Sequence, residues 1–260
     1  MSEVKNLIIS KKIKNIEYKD RFFLFEEKDF FTSATYERLS KTFPKKNLFS
    51  SHSEFSRTLN DDDNNFRLFL NENSEWKNII QNFNSKDFIN DLINYFNLKN
   101  VCPDNSWKKY LFIFKRVRMS FTFNISEPGG YSLPHTDSSR KLISMVIFFV
   151  DKTWNFNNGG QVQIYKPKSI EFEDNWRNKR VEKENLEILK TITPSPNKIY
   201  GFKKTKNSYH SVETVKNANN LSRKVFMINL IYSNKSDSPY NEPISIFNKI
   251  KNFFKSLIKK

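Results

Sequence analysis

The sequence predicts an α+β protein with a mainly β core, in which a helical N-terminal flank leads into short strands that form a sandwich or barrel. Three observations carry this reading. Apolar residues between Asp29 and Asn97 recur at helical spacing. After Cys102-Pro103 the texture changes to short β-like runs separated by turn signals. All five glycines (Gly129, Gly130, Gly159, Gly160 and Gly201) fall in this second half, where the backbone must turn sharply or approach something closely. Several short strands of this kind indicate antiparallel layers rather than a parallel α/β sheet. No internal repeat is visible.

Taken in order, Phe30, Phe31, Ala34, Leu39 and Phe43 fit a helix that stops at Pro44, since proline disfavours helical geometry in the residue before it. The polar stretch Asp61-Asp62-Asp63-Asn64-Asn65 reads as a loop. Trp76, Ile79, Ile80 and Phe83 follow the i, i+3, i+4, i+7 spacing of an amphipathic helix. Ser85 is placed to cap another, which carries Phe88, Ile89, Leu92, Ile93 and Phe96. The strand candidates are Tyr110 to Ile125, Leu142 to Val150, Gln161 to Tyr165, Lys198 to Phe202, His210 to Val215 and Arg223 to Tyr232. The stretch from Pro243 to Lys260 spaces Ile244, Phe247, Ile250, Phe254, Leu257 and Ile258 among five lysines and no acid. That is the pattern of a basic amphipathic helix, suited either to packing on the protein's own core or to lying on an anionic membrane or a partner.

Composition narrows the function classes. With 37% hydrophobic and 15% aromatic residues in a chain of 260, a disordered chain is not expected. The longest apolar run, Met145 to Val150, is six residues, far short of the roughly 20 that a spanning helix needs. The N-terminal Leu7-Ile8-Ile9 is followed at once by Ser10-Lys11-Lys12, too short for a signal-peptide core, so a cytoplasmic location is expected. The single Cys102 excludes an intramolecular disulfide framework and a Cys-rich zinc site, leaving histidine and carboxylate to hold any metal. The net charge of +16 favours encounter with polyanions. The lysines are spread along the chain rather than gathered in one tract, and the richness in Lys, Asn, Ile and Phe is what AT-rich codons supply, so nucleic acid is not the expected partner.

Of three histidines, His52 sits in a Ser-rich stretch with no evident partner and reads as an exposed loop residue. His135 belongs to Pro134-His135-Thr136-Asp137, where histidine and aspartate two apart project to one face of a strand and can converge on one ion. A distant second histidine, His210, would complete the two-histidine, one-carboxylate triad that leaves positions open on Fe(II). The surroundings strengthen a short motif. Gly129-Gly130-Tyr131-Ser132-Leu133 leads into it, Gly159-Gly160 opens the strand Gln161 to Tyr165, and Arg223 stands thirteen positions after His210 at the head of an apolar strand. An arginine there is costly to bury unpaired and calls for a carboxylate.

This ordered set resembles the Fe(II)- and 2-oxoglutarate-dependent dioxygenases, most closely their prolyl 4-hydroxylase-like branch, over about Tyr110 to Tyr232. The helix between Asp29 and Pro44 is similar to that family's N-terminal flank. The resemblance implies a double-stranded β-helix, a jelly-roll or cupin-like barrel, flanked by N-terminal helices and the C-terminal amphipathic helix. Residues 1–105 would be the helical flank of the same domain, 106–235 the catalytic core and 236–260 the basic C-terminal segment. It implies Fe(II), 2-oxoglutarate and O2 as cofactors, with ascorbate in an optional supporting role. His135, Asp137 and His210 would bind the metal, and Arg223 would pair bidentately with the far carboxylate of 2-oxoglutarate. The implied reaction hydroxylates a C–H bond of a peptidyl (prolyl-type) or small-molecule substrate, with succinate and CO2 as co-products.

Two positions depart from the family pattern. Val225 stands where many members have a hydroxyl residue, and Phe123-Asn124-Ile125-Ser126 lacks a tyrosine that several relatives direct at 2-oxoglutarate. Tyr131, nearer to His135 than the family spacing, becomes the candidate for that contact. Arg140 and Lys141 are read as solvated, with the site mouth and an acidic substrate group as the alternative. Nucleic-acid demethylation is disfavoured because no second arginine follows Arg223 before Tyr232. A non-catalytic binding protein on the same barrel is disfavoured by the intact triad. Substrate choice is expected to lie in loops such as Lys166 to Lys190.

Overall fold

The computed structural model describes residues 16–19, 22–111, 113–172, 180–216 and 221–234. Thirteen strands in these residues form two sheets. The larger has the order β1 (Ile16–Lys19), β2 (Phe22–Glu27), β11 (Ile199–Lys203), β8 (Lys141–Phe148), β13 (Arg223–Tyr232), β6 (Lys115–Ser126), β4 (Ser56–Asn60) and β3 (Ser50–Ser53). The short β5 (Val101–Pro103) pairs in parallel with β6, and the other pairings are antiparallel. The smaller sheet has the order β10 (Leu186–Ile192), β9 (Val162–Pro167), β12 (Tyr209–Val212) and β7 (Ser132–His135). The two sheets stack as a double-stranded β-helix with no closed hydrogen-bonded barrel.

Strand period explains the layering. In β13, Phe226, Ile228, Leu230 and Tyr232 point into one core, while Val225 and Met227 point into a second. In β8, Ile143, Met145 and Ile147 join the first core, and Val146 and Phe148 the second. The major sheet is thus buried on both faces, which is why these strands read as continuous apolar runs rather than as an alternation. The first core is covered by α1 (Ser33–Lys41), α2 (Asn64–Glu72), α3 (Ser74–Phe83) and α4 (Lys86–Tyr95). The second lies between the sheets and includes Val162, Ile164, Tyr200 and Phe202.

Three of the helices, α1, α3 and α4, form where their spacing placed them, whereas α2 starts at Asn64, inside the polar stretch Asp61 to Asn65 that reads as a loop. The Ser85 hydroxyl accepts the Phe88 amide at 3.2 Å and caps α4. The first helix ends at Lys41, before Pro44. One expectation is corrected: the segment between Asp29 and Asn97 is not helical throughout, because β3 and β4 interrupt it and extend the major sheet along β6. Strong pairing with β6 overrides a local sequence, Ser50 to Asn60, that carries few β-branched residues. His52 accordingly lies on a strand rather than in a loop, and its side chain lies outside the described residues. The segment Lys166 to Lys190 also contains the start of β10. The C-terminal segment Pro243 to Lys260 lies outside the described residues. No helix among the described residues is long and apolar enough to cross a membrane.

Trp76 joins helix layer to sheet. It is fully buried, and its indole meets the rings of Phe123, Phe149 and Phe226 at 4.8, 5.3 and 5.2 Å between centroids. Trp76→Ala is therefore expected to cost about 3–5 kcal/mol of unfolding free energy. Urea unfolding of the two proteins measures it, and a loss below about 1 kcal/mol would contradict this packing.

Candidate metal and cosubstrate site

The site lies on the inner faces of the two sheets. Antiparallel pairing of β12 with β7 sets His210 directly opposite His135, with ring centroids 4.4 Å apart. The His135 Nδ1–H donates to the Leu133 carbonyl at 2.8 Å, and the His210 Nδ1–H donates to the Ser208 carbonyl at 3.2 Å. Because a carbonyl can only accept, both rings carry their proton on Nδ1 and keep Nε2 as the lone-pair atom for a ligand. Burial and the neighbouring His135 push the His210 pKa down to about 3, and burial lowers that of His135, so both are neutral at pH 7.

Asp137 follows the end of β7 rather than lying on the strand, yet its carboxylate reaches the same place. One oxygen accepts from Lys141 Nζ at 2.7 Å and the other from Ser144 Oγ at 2.5 Å, and Lys204 Nζ donates to the Asp137 main-chain carbonyl. Burial alone would raise the carboxyl pKa. The Lys141 ammonium, His210 and the two hydrogen bonds outweigh it and hold the group well below the usual carboxylate range. Lys141 reaches this face through an irregularity in the register of β8 against β13, where Leu142 and Ile143 both pack on the helix side. Arg140 instead turns to the end of β13, donating to the carbonyls of Tyr232 and Ser233.

One ligand atom each from His135, Asp137 and His210 lie within 4.8 Å of one another. Ligands held at about 2 Å on adjacent positions of one ion stand about 3 Å apart, so the three side chains would draw together to close the set. Two imidazoles and one carboxylate suit a divalent first-row metal such as Fe(II).

Arg223 has the same strand parity as Val225 and so faces the space between the sheets. It is 4% exposed, and its Nε–H donates to the Gly160 carbonyl at 3.0 Å. The guanidinium lies 5.2 Å from the Phe148 ring centre, and the Tyr200 phenol stands close enough to interact with it electrostatically. No carboxylate pairs with it among the described residues. A buried, unpaired guanidinium flanked by one phenol is a ready receptor for an incoming carboxylate. Gly160 is needed for this, since its φ is +70° and a Cβ there would stand 2.9 Å from Arg223 Cδ. Phe148 and Phe202 connect the two parts: Phe148 stacks on Tyr200 at 5.5 Å, and Phe202 packs on His210 at 4.8 Å.

The structure thus brings together His135, Asp137, His210 and, across the phenylalanines, Arg223. Tyr131 is not brought to Arg223; it is 62% exposed in the turn before β7. The phenol beside Arg223 is Tyr200, buried, with its pKa raised by that burial to about 12. Sequence reasoning passed over Tyr200 because it lies on a different strand from the expected tyrosine. The available signal was the period of β11, which puts Tyr200 and Phe202 on one face. Ser144 was likewise readable as a lone polar residue inside an apolar run.

Residues 119–226 match the family model described as the 2OG-Fe(II) oxygenase superfamily. No curated protein matches the chain. Among solved structures the chain is similar to a prolyl 4-hydroxylase from Phytophthora capsici, with 14% identity and a TM-score of 0.50 over 90% of this chain and 68% of that one. It is similar to IDO from Bacillus thuringiensis, with 12% identity and a TM-score of 0.50 over 89% of this chain and 98% of that one. A prolyl-4-hydroxylase from Pseudomonas putida aligns with 12% identity and a TM-score of 0.44 over 81% of this chain and 93% of that one. The first two likenesses agree with the fold described above.

In the metal-free protein the His210 ring is expected to stay neutral as the pH falls from 7 to 5, whereas an exposed imidazole crosses its midpoint near about 6.5. The pH dependence of its ring resonances measures this, and a midpoint above about 6 would contradict the described environment.

Proposed function

We propose that this chain, whose residues 119–226 match the 2OG-Fe(II) oxygenase superfamily, hydroxylates a C–H bond of a peptidyl, prolyl-type side chain or of a small molecule. One observation carries the reading: a two-histidine, one-carboxylate set and a buried arginine without a carboxylate partner among the described residues face the same space between two sheets. The fold shared with a prolyl 4-hydroxylase supports a peptide substrate.

The chemistry that Fe(II), 2-oxoglutarate and O2 supply when bound is oxidative decarboxylation to succinate and CO2 coupled to hydroxylation. The chain's own residues do the rest. His135 and His210 offer Nε2 because the Leu133 and Ser208 carbonyls fix their tautomers. Asp137 stays ionised and aimed because Lys141 and Ser144 hold its two oxygens. Arg223 and Tyr200 together bind the far carboxylate of 2-oxoglutarate, the first by charge and the second by a hydroxyl hydrogen bond. Phe148, Phe202 and the second core keep water from the space between them.

His135→Ala and Asp137→Ala are each expected to abolish succinate formation from 2-oxoglutarate, and near-parental turnover in either would remove the metal assignment. Arg223→Ala should raise the apparent Michaelis constant for 2-oxoglutarate about 100-fold, the order expected for charge-assisted hydrogen bonds. Tyr200→Phe should raise it about tenfold, as loss of a single hydrogen bond does. An unchanged constant in both would place the carboxylate anchor elsewhere.

A further inference from the structure

Away from this site, the most unusual surface among the described residues is the connection between β5 and β6. Trp107, Tyr110, Leu111 and Ile113 are 68%, 58%, 39% and 68% exposed, four large apolar side chains within seven residues. Scattered exposed apolar residues are ordinary, but a contiguous group marks an interaction surface. The backbone here is closed on itself. A turn of 3-10 helix spans Trp107–Tyr110, Ser106 N–H donates to Pro103 O, Leu111 N–H to Lys108 O and Phe114 N–H to Leu111 O.

Those side chains alternate with cations. Lys109 Nζ lies 4.9 Å over the Tyr110 ring and Lys108 Nζ 5.8 Å over that of Phe114. Neither lysine meets a carboxylate among the described residues. The Lys115 N–H donates to the Asn100 carbonyl at 2.9 Å and ties the end of this connection to its start. The last described residues lie at the same place: Ser233 N–H donates to Arg116 O at 3.0 Å, and Ser233 Oγ donates to the Asp104 carboxylate at 2.8 Å. Farther along the sequence, the Pro243 to Lys260 stretch has five lysines and no acid.

We propose that this corner docks the protein on an anionic bilayer surface, with Trp107, Tyr110, Leu111 and Ile113 entering the headgroup boundary and Lys108 and Lys109 meeting lipid phosphates and carboxylates. Trp and Tyr partition to that boundary, and lysine stems lie along apolar surface with their charge in the polar layer. A single weak anchor binds a membrane only marginally, and two act together. The C-terminal stretch, with its five lysines among apolar residues, supplies the second signal, each cation adding attraction to anionic lipid. The shared positive sign of turn and C-terminal stretch argues against their docking on one another. It equally argues against a second copy of this patch as occupant.

The test is co-sedimentation of the full chain with phosphatidylcholine vesicles containing about 30% phosphatidylserine, against pure phosphatidylcholine. The proposal expects uptake that is weaker on the neutral vesicles and falls with added salt. The Trp107→Ser/Ile113→Ser double variant should lower uptake at least about tenfold. Lys108→Glu/Lys109→Glu should lower it on anionic vesicles only. All four positions are outside the core, so unchanged thermal midpoints are expected and serve as the folding control. Truncation after residue 242 should leave weaker uptake that the double variant removes. No uptake by the full chain, equal uptake on neutral vesicles, or parental uptake by the double variant would each overturn the proposal. So would concentration-dependent self-association that the double variant abolishes in the absence of vesicle uptake.

Discussion

The placement of every group at the site depends on strand parity in a sheet that is buried on both faces. One parity of β13 and β8 packs on the helices through residues such as Phe226, Ile228 and Ile147, and the other lines the space between the sheets through Val225, Phe148 and Val146. Arg223 and Ser144 share the second parity, which is why a guanidinium and a hydroxyl stand among apolar side chains. A register slip of one residue would move Arg223 into the phenylalanine-rich layer, where nothing could receive its charge. Trp76 and the rings around it resist such a slip by locking the helix layer to the opposite face.

Within that frame the polar groups divide into two sets with different electrostatics. Around Asp137, charge is matched: Lys141 neutralises the carboxylate and Ser144 occupies its second oxygen. Around Arg223, charge is not matched among the described residues, and only neutral partners, the Gly160 carbonyl, the Tyr200 hydroxyl and the Phe148 ring, surround it. Burying an unpaired cation is costly. The arrangement makes sense if a carboxylate arrives with the ligand, and the cost is then recovered as affinity for that carboxylate.

Much of this was legible because it is local or periodic. The His135-x-Asp137 spacing, the distant His210 and the Arg223 at the head of an apolar strand each stand out in the sequence, and the cap at Ser85 follows from its side chain. What stayed hidden rests on contacts between segments far apart in the chain. Tyr200 reaches Arg223 because β11 and β13 flank β8, which no local pattern reveals. The hairpin of β3 and β4 forms because β6 offers an edge, overriding weak local propensity. Asp137 lies past the end of its strand, so its convergence with His135 owes more to Ser144 and Lys141 than to the two-residue period that suggested it. Lys141, in turn, faces the site only because the register of β8 shifts near Leu142.

The most direct measurement is an anaerobic optical titration of the purified protein with Fe(II) and then with 2-oxoglutarate. A visible charge-transfer band that grows to one equivalent of each and is absent from His210→Ala is the predicted result. Binding of neither, or an undiminished band in His210→Ala, would contradict the assignment of this site.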